Sequence, residues 1–350
     1  MPIQSRSISS DHVKAQAAAA GFDVCGIAPV ADFRELTFLN DWIARGFHGE
    51  MEYMARSAPR RADVRAIMPS AAAVIMLGTV YNADRPYSTA STDPQRAAIA
   101  RYAWGDDYHD VIDRRMRQLL QSLTQIAGPF EHRAYVDTGP VQERVYAKYA
   151  GLGWIGKNTC LINRDLGSWL FLSAIICDLQ VDADVPALDH CGRCTLCIDA
   201  CPTGAITAPY QLDSRRCLSY LTIENKGEIP GEYREAVGRH AYGCDICQDV
   251  CPWNRKAAVT ADGPWQPRPG LDGATLRDLW VRSDADLRVL LKGSPMKRAG
   301  VRRLRRNIAV SIGNCGDPSA SADLERVREE TCDDPLVREH VAWAVEKLRG

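Results

Sequence analysis

The stretch CGRCTLCIDACP (Cys191–Pro202), answered by CDICQDVCP (Cys244–Pro252) with a lone Cys217 between them, decides how this chain is organised. Eight thiols fall within about sixty residues, and each run closes on Cys-Pro. A C-x-x-C turn lets neighbouring thiolates converge on adjacent corners of a metal–sulfur cube, and the proline stops the chain from continuing as a helix. Paired C-x-x-C units also make tetrahedral zinc sites, but zinc does not require a three-residue gap followed by Cys-Pro, twice. Disulfides would imply secretion. The first twenty residues, MPIQSRSISSDHVKAQAAAA, carry an alanine-rich helix with neither a signal-peptide apolar core nor a twin arginine.

The spacing is that of the bacterial ferredoxins with two four-iron, four-sulfur clusters, in which the fourth cysteine of each run reaches across to the other cluster. On that pattern Cys191, Cys194 and Cys197 share one cluster with Cys251, while Cys201 joins Cys217, Cys244 and Cys247 on the second. Every ligand place is filled.

At 350 residues, 46% hydrophobic and 25% charged, the chain has room for two or three domains. A net charge of -1 gives no global steering toward nucleic acid, so any basic surface is local. The longest apolar runs, such as Leu170–Cys177, fall well short of a membrane span. The expectation is a cytoplasmic protein without a membrane partner, its thirteen cysteines serving as reduced thiols and metal ligands.

In order, the N-terminal part reads as a helix at Asp11–Ala20 ended by Gly21, a strand near Val24–Ile27, a helix near Phe33–Arg45 and a strand at Ala72–Leu77. Phe33, Leu36, Leu39, Trp42 and Ile43 give the second helix one buried face. The arginine-dense EMEYMARSAPRRADVR (Glu50–Arg65) reads on its own as a solvated helix end. After the loop Ala83–Pro94, a helix is predicted at Val111–Ala127 and a strand at His132–Val136. Asp107 and His109 open a D-x-H-x-x-G motif whose histidine ligates cobalamin in some proteins, but Ile112 replaces the glycine. His109 therefore reads as a surface or pocket-wall residue.

The segment DTGPVQER (Asp137–Arg144) leads into a helix running to Ala150. Pro140 suits a first helical position, so Asp137 or Thr138 caps that helix on one reading. On the other, Asp137 is an acid at a strand end facing a cleft, where α/β proteins place proton donors. GLGWIGKN (Gly151–Asn158) imitates a dinucleotide fingerprint but follows a helix instead of a strand. It also imitates a P-loop, but Asn158 stands where magnesium needs a hydroxyl. A glycine-rich loop that lets backbone approach some other ligand fits better.

From Pro264 the chain turns helical. RRNIAVSI from Arg305 aligns with REHVAWAV from Arg338, suggesting a small HEAT-like array. MKRAGVRRLRRN (Met296–Asn307) packs six basic residues into ten positions, a density that points to a phosphate-contacting surface.

Together YVDTGPVQER (Tyr135–Arg144), GLGWIGKNT (Gly151–Thr159), HCGRCTLCIDACPTG (His190–Gly204), CLSYLTIE (Cys217–Glu224) and GCDICQDVCPWN (Gly243–Asn254) resemble the epoxyqueuosine reductases, cobalamin-dependent iron–sulfur enzymes that finish queuosine on tRNA. The resemblance spans essentially the whole chain. It implies an α+β multidomain protein: a nitroreductase-like α/β cobalamin-binding domain (1–186), a bacterial-type two-cluster ferredoxin module (187–262) and C-terminal HEAT-like helical repeats that bind tRNA (263–350). It further implies two four-iron clusters and cobalamin as cofactors, with Asp137 as proton donor, its pKa raised by partial burial beside the corrin. Arg60, Arg61, Tyr102, Asp137 and Asn158 would contact the cobalamin, although Pro59-Arg60 stands where the family often has a lysine-type residue before Arg61. A monomer is expected, fed by an external low-potential donor such as flavodoxin or ferredoxin. The rivals are a corrinoid reductive dehalogenase, whose respiratory members carry a twin-arginine signal, and an electron-carrier subunit, which needs no large domain before its clusters.

Overall fold

The computed structural model describes residues 7–331 and 334–350. Strands β1 (Val24–Pro29), β2 (Ala73–Val80), β3 (His132–Tyr135) and β4 (Leu170–Cys177) form one sheet in the order β1-β2-β4-β3, with every pair antiparallel. It is flanked by helices α1 (Ser10–Ala19), α2 (Arg34–Ala44), α3 (Glu52–Arg61), α4 (Tyr108–Ala127) and α5 (Glu143–Tyr149). All of β2 is buried, because its alternating side chains feed two cores. Ala73, Ile75 and Leu77 pack with Val13 of α1 and Met116 and Leu119 of α4, whereas Val74 and Met76 pack with Leu36 of α2 and Val145 of α5. An antiparallel sheet offers no parallel βαβ crossover, which disposes of the dinucleotide reading.

The elements predicted near the N-terminus fall within a few residues of where the sequence put them. One local reading fails. Pro140 is not at a first helical position, since α5 begins at Glu143, and Gln142 before it makes no side-chain cap. The Gln142 amide is engaged elsewhere, donating to the Leu36 and Arg61 carbonyls. The glycines of GLGWIGKN make room for the protein itself. Trp154–Ile155 and Leu161–Ile162 form a hairpin, and a Cβ on Gly153 would lie 2.2 Å from the Ile162 carbonyl oxygen.

The cysteine runs carry two short helices, α6 (Leu196–Asp199) and α8 (Ile246–Asp249), which pack against each other, and α7 (Leu218–Ile223) starts directly after Cys217. The two aligned C-terminal segments lie in α9 (Gly300–Gly313) and α10 (Pro335–Arg349), which pack face to face. Ile308 and Ile312 meet Val341 and Ala344 in one core, and Gly313 is small because a Cβ there would stand 2.9 Å from Ala344.

The dense basic run divides in a way that composition does not reveal. Arg305 and Arg306 are buried. Arg305 donates to the Trp280 and Arg282 carbonyls, and Arg306 to those of Leu221 and Asn225. Burial pulls the Arg306 pKa down to about 9. These arginines clamp α9 onto its neighbours, so the expectation of one continuous phosphate-contacting face is corrected. Lys297, Arg298 and Arg302 keep more than half of their side-chain surface exposed. Among the described residues no helix is long and apolar enough to cross a membrane.

Candidate active site and cluster module

A cavity of about 770 Å³ lies between the α/β layers and the cysteine module. Phe38 and Trp42 of α2, Met51 and Met54 around the start of α3, and Val141 give it apolar walls, and Asp137, Glu143 and Cys217 line it as well. It is thus bounded by both the strand-end acid and a thiol of the cluster pattern.

Asp137 follows β3 with φ +57°, the left-handed region that side chains other than glycine rarely adopt. Its Oδ2 accepts from the Tyr108 hydroxyl at 2.7 Å and lies 3.6 Å from His109 Nε2. Asp107, the N-cap of α4, approaches the other ring nitrogen of His109 at 2.7 Å and takes the Lys297 ammonium at 2.6 Å. The start of one helix therefore delivers a chain of charge: Lys297, Asp107, His109, Asp137. Tyr108 is held flat on Phe171 of β4, ring centroids 4.5 Å apart.

The electrostatics reverse one expectation. The Asp137 side chain keeps 62% of its surface open; the desolvation its cleft position imposes acts to raise its pKa, but hydrogen bonding to His109 and Tyr108 outweighs that and holds the carboxyl below its ordinary value. Burial likewise works against a charged His109, yet Asp107 and Asp137 lift it to about 9. The raised carboxyl is instead Glu143, pushed to about 8 by burial and by the charge of Asp137. Its Oε1 accepts the Asp137 backbone N–H at 2.9 Å.

None of the described cysteines is in a disulfide. Burial, then the nearness of Cys251, Cys191 and Cys194, pushes the Cys197 thiol up to about 11. Cys244 is raised well above its ordinary value by burial, with Cys217 and Cys201 adding to it. Cys247 is raised well above its ordinary value, first by its hydrogen bond with the Cys160 thiol and then by burial, with Cys244 and Cys217 also beside it. These neighbours place Cys197 with Cys191, Cys194 and Cys251, and Cys244 with Cys201 and Cys217, an arrangement compatible with the crossed sets that the spacing implies. Among the described residues no three His, Cys, Asp or Glu are gathered as a site for a single metal ion. A four-iron cluster instead spreads its ligands over the corners of a cube. Cys194 is exposed, while Cys251 is buried.

Of the residues assigned to cobalamin by resemblance, Arg61, Tyr102 and Asp137 line the cavity; Arg60 and Asn158 are not among its lining residues. Arg60 is exposed at the end of α3. Asn158 is buried and donates to the Cys247 carbonyl at 3.2 Å. Lys157, the P-loop look-alike, donates to the Gly192 and Cys194 carbonyls in the first cysteine run. Sequence reasoning missed Glu143, Tyr108 and the ionic role of His109. The available signal was Asp-x-His at a helix start, where an N-cap aspartate can also take the ring of the residue two places on.

An iron–sulfur oxidoreductase is the class these features define, and a family described as "4Fe-4S double cluster binding domain" matches residues 190–254. A second family, "Epoxyqueuosine reductase QueG, DUF1730", matches residues 61–138, the stretch that ends just past Asp137. The epoxyqueuosine reductase of Pseudomonas aeruginosa is 44% identical over 331 residues, 93% of this chain and 91% of that protein. A crystal structure of epoxyqueuosine reductase with an epoxyqueuosine-modified tRNA-Tyr stem loop superposes with a TM-score of 0.79 at 26% identity, covering 97% of this chain and 98% of the other. The enzyme from Bacillus subtilis, with its catalytic aspartate loop swung out of the active site, gives 0.78 at 26% identity over the same shares. The chain belongs to the epoxyqueuosine reductase family.

Proposed function

We propose that this protein reduces epoxyqueuosine to queuosine at the wobble position of tRNA anticodons, with Asp137 handling the proton at the reacting oxygen. The observation that carries this reading is that one cavity is lined both by Asp137 and by Cys217. The reaction takes the epoxide, two electrons and two protons to an alkene and water.

The two thiol sets fit two four-iron clusters, which supply one-electron storage between the exposed Cys194 and the cavity. The apolar walls of Trp42, Met51, Met54 and Val141, with Arg61 and Tyr102 at their side, fit cobalamin, which supplies the low-potential chemistry at the strained ring. The protein's own residues bind the splayed nucleotide, exclude water and manage protons. Epoxide opening leaves an oxygen that must be neutralised. Asp137 stands at ion-pair distance from a histidine that carries a proton at neutral pH, so the Asp137–His109 pair holds the proton the step consumes. The Asp137 loop is the counterpart of the swinging aspartate loop of the Bacillus subtilis enzyme.

The domain scheme follows: a nitroreductase-like α/β domain to about residue 186, a ferredoxin-like module to 262, and a HEAT-like tail that meets tRNA. A monomer in the cytoplasm, reduced by flavodoxin or ferredoxin, completes the reading. The test is mass analysis of nucleosides after anaerobic incubation of the reconstituted protein with epoxyqueuosine-containing tRNA and a low-potential reductant. Queuosine is expected. Unchanged epoxyqueuosine with full iron and cobalamin content would overturn the reading.

A further inference from the structure

We propose that Glu143 is a positioning residue for the reaction: by accepting the Asp137 N–H on Oε1 at 2.9 Å, it fastens the acid loop to a rigid helix. The inference rests on Asp137 being the proton-handling residue, as assigned above.

A residue other than glycine at φ +57° persists only where its surroundings over-determine it. Asp137 is held from two sides. Its carboxylate is tied to Tyr108 and His109, which sit at the start of α4, and its backbone N–H is tied to Glu143, in the first turn of α5. The side-chain ties are those that must rearrange when substrate engages the carboxylate; the backbone tie need not. α5 is a firm anchor, since Val145, Tyr146 and Ala147 are all buried in the core beneath the sheet. Between the two anchors the chain folds back so tightly that a Cβ on Gly139 would lie 2.3 Å from the Tyr135 ring. The loop therefore has one well-defined inward arrangement, and the Glu143 bond is its link to the helix that follows.

The chemistry of Glu143 suits this task. Its carboxyl faces Asp137 from the loop, Arg61 from α3 and Arg144 from its own helix, and burial followed by the Asp137 charge raises its pKa to about 8. Near neutral pH it accepts the N–H largely as an uncharged carboxylic acid, without setting a second full negative charge beside Asp137. A glutamine offers the same acceptor oxygen and no ionisable proton.

The test compares Glu143→Ala and Glu143→Gln with wild type in the full reconstituted protein. Two quantities are read: hydrogen exchange of the segment 133–142, and single-turnover rate against tRNA affinity. Glu143→Ala is expected to speed exchange at the Asp137 amide about ten-fold, the scale of one lost hydrogen bond. The rate should fall by a similar factor, with tRNA affinity, iron and cobalamin content and exchange of β2 unchanged. Glu143→Gln should stay close to wild type in both. Unaltered exchange in Glu143→Ala overturns the proposal, and so does a Glu143→Gln as slow as Glu143→Ala, which would make the carboxyl's proton the essential feature. Faster exchange in Glu143→Ala with an undiminished rate, alongside an active Asp137→Asn, would keep the fastening and remove Asp137 from the chemistry.

Discussion

The Tyr108 hydroxyl donates to Asp137 Oδ2 across 2.7 Å, so the carboxyl is directed to the start of α4 and not to the amides that open α5. A capping role for Asp137 would have required the second arrangement. Asp137→Asn should accordingly fold, bind both kinds of cofactor and bind tRNA as wild type does, while losing about 100-fold in rate, the usual scale for a missing general acid. Single-turnover alkene formation under anaerobic conditions, with cofactor content verified, checks this. A near-normal rate would assign the proton to another group.

The proton inventory sets a pH dependence. His109 is lifted to about 9 and Asp137 held low, so the pair carries one proton through the neutral range. The rate of a proton-consuming step should be level there and fall above about pH 9. Stability should follow the same sign. A group whose folded pKa is raised contributes fully below its unfolded value and loses that contribution as pH climbs through the folded one. For His109 the window runs from 6.5 to about 9, and for Glu143 from 4.5 to about 8. Thermal unfolding between pH 6 and 9 should show a falling Tm in wild type and a shallower fall in His109→Gln.

Iron content tests the crossed thiol sets. Two four-iron clusters require about eight irons, and Cys217→Ser should lose one cluster although it lies outside both cysteine runs. Full iron with an unchanged EPR spectrum would refute the assignment.

The arginines in and just before α9 separate into two groups with opposite expected behaviour. Charge reversal at Arg298 and Arg302, both more than half exposed, should weaken tRNA binding and lower its salt slope by about one per lost phosphate contact, leaving iron content intact. Arg306→Met should instead cost about 3 kcal/mol of stability, because it strands buried carbonyls that the guanidinium now satisfies. Filter binding across a salt series and denaturant unfolding distinguish the two.

The cysteine pattern was legible because cluster ligation imposes its own spacing, and Asp137 because a strand followed by a polar, proline-containing turn marks a cleft edge. What surrounds them was not. Tyr108 and His109 reach Asp137 from a helix start nearly thirty residues away, and no local pattern says that two hydrogen-bonding partners will outweigh burial. Charge density in MKRAGVRRLRRN was read as a surface because composition cannot tell an arginine reaching back to carbonyls from one facing solvent. In GLGWIGKN the glycines reported a close approach correctly, yet the approaching group is the carbonyl of Ile162 on the same hairpin.

The guanidinium of Arg306 and the amide of Asn307 hold the carbonyls of Leu221, Asn225 and Thr222, all in or just beyond the helix that opens at Cys217. The C-terminal helices cannot swing away from that helix without abandoning a buried cation. The two units behave as a welded frame, so whatever docks across them meets a face already built and not a closing jaw. The same weld makes the tail part of the foundation under Cys217: a chain shortened before α9 would strip the helix that opens there of the side chains holding its buried carbonyls.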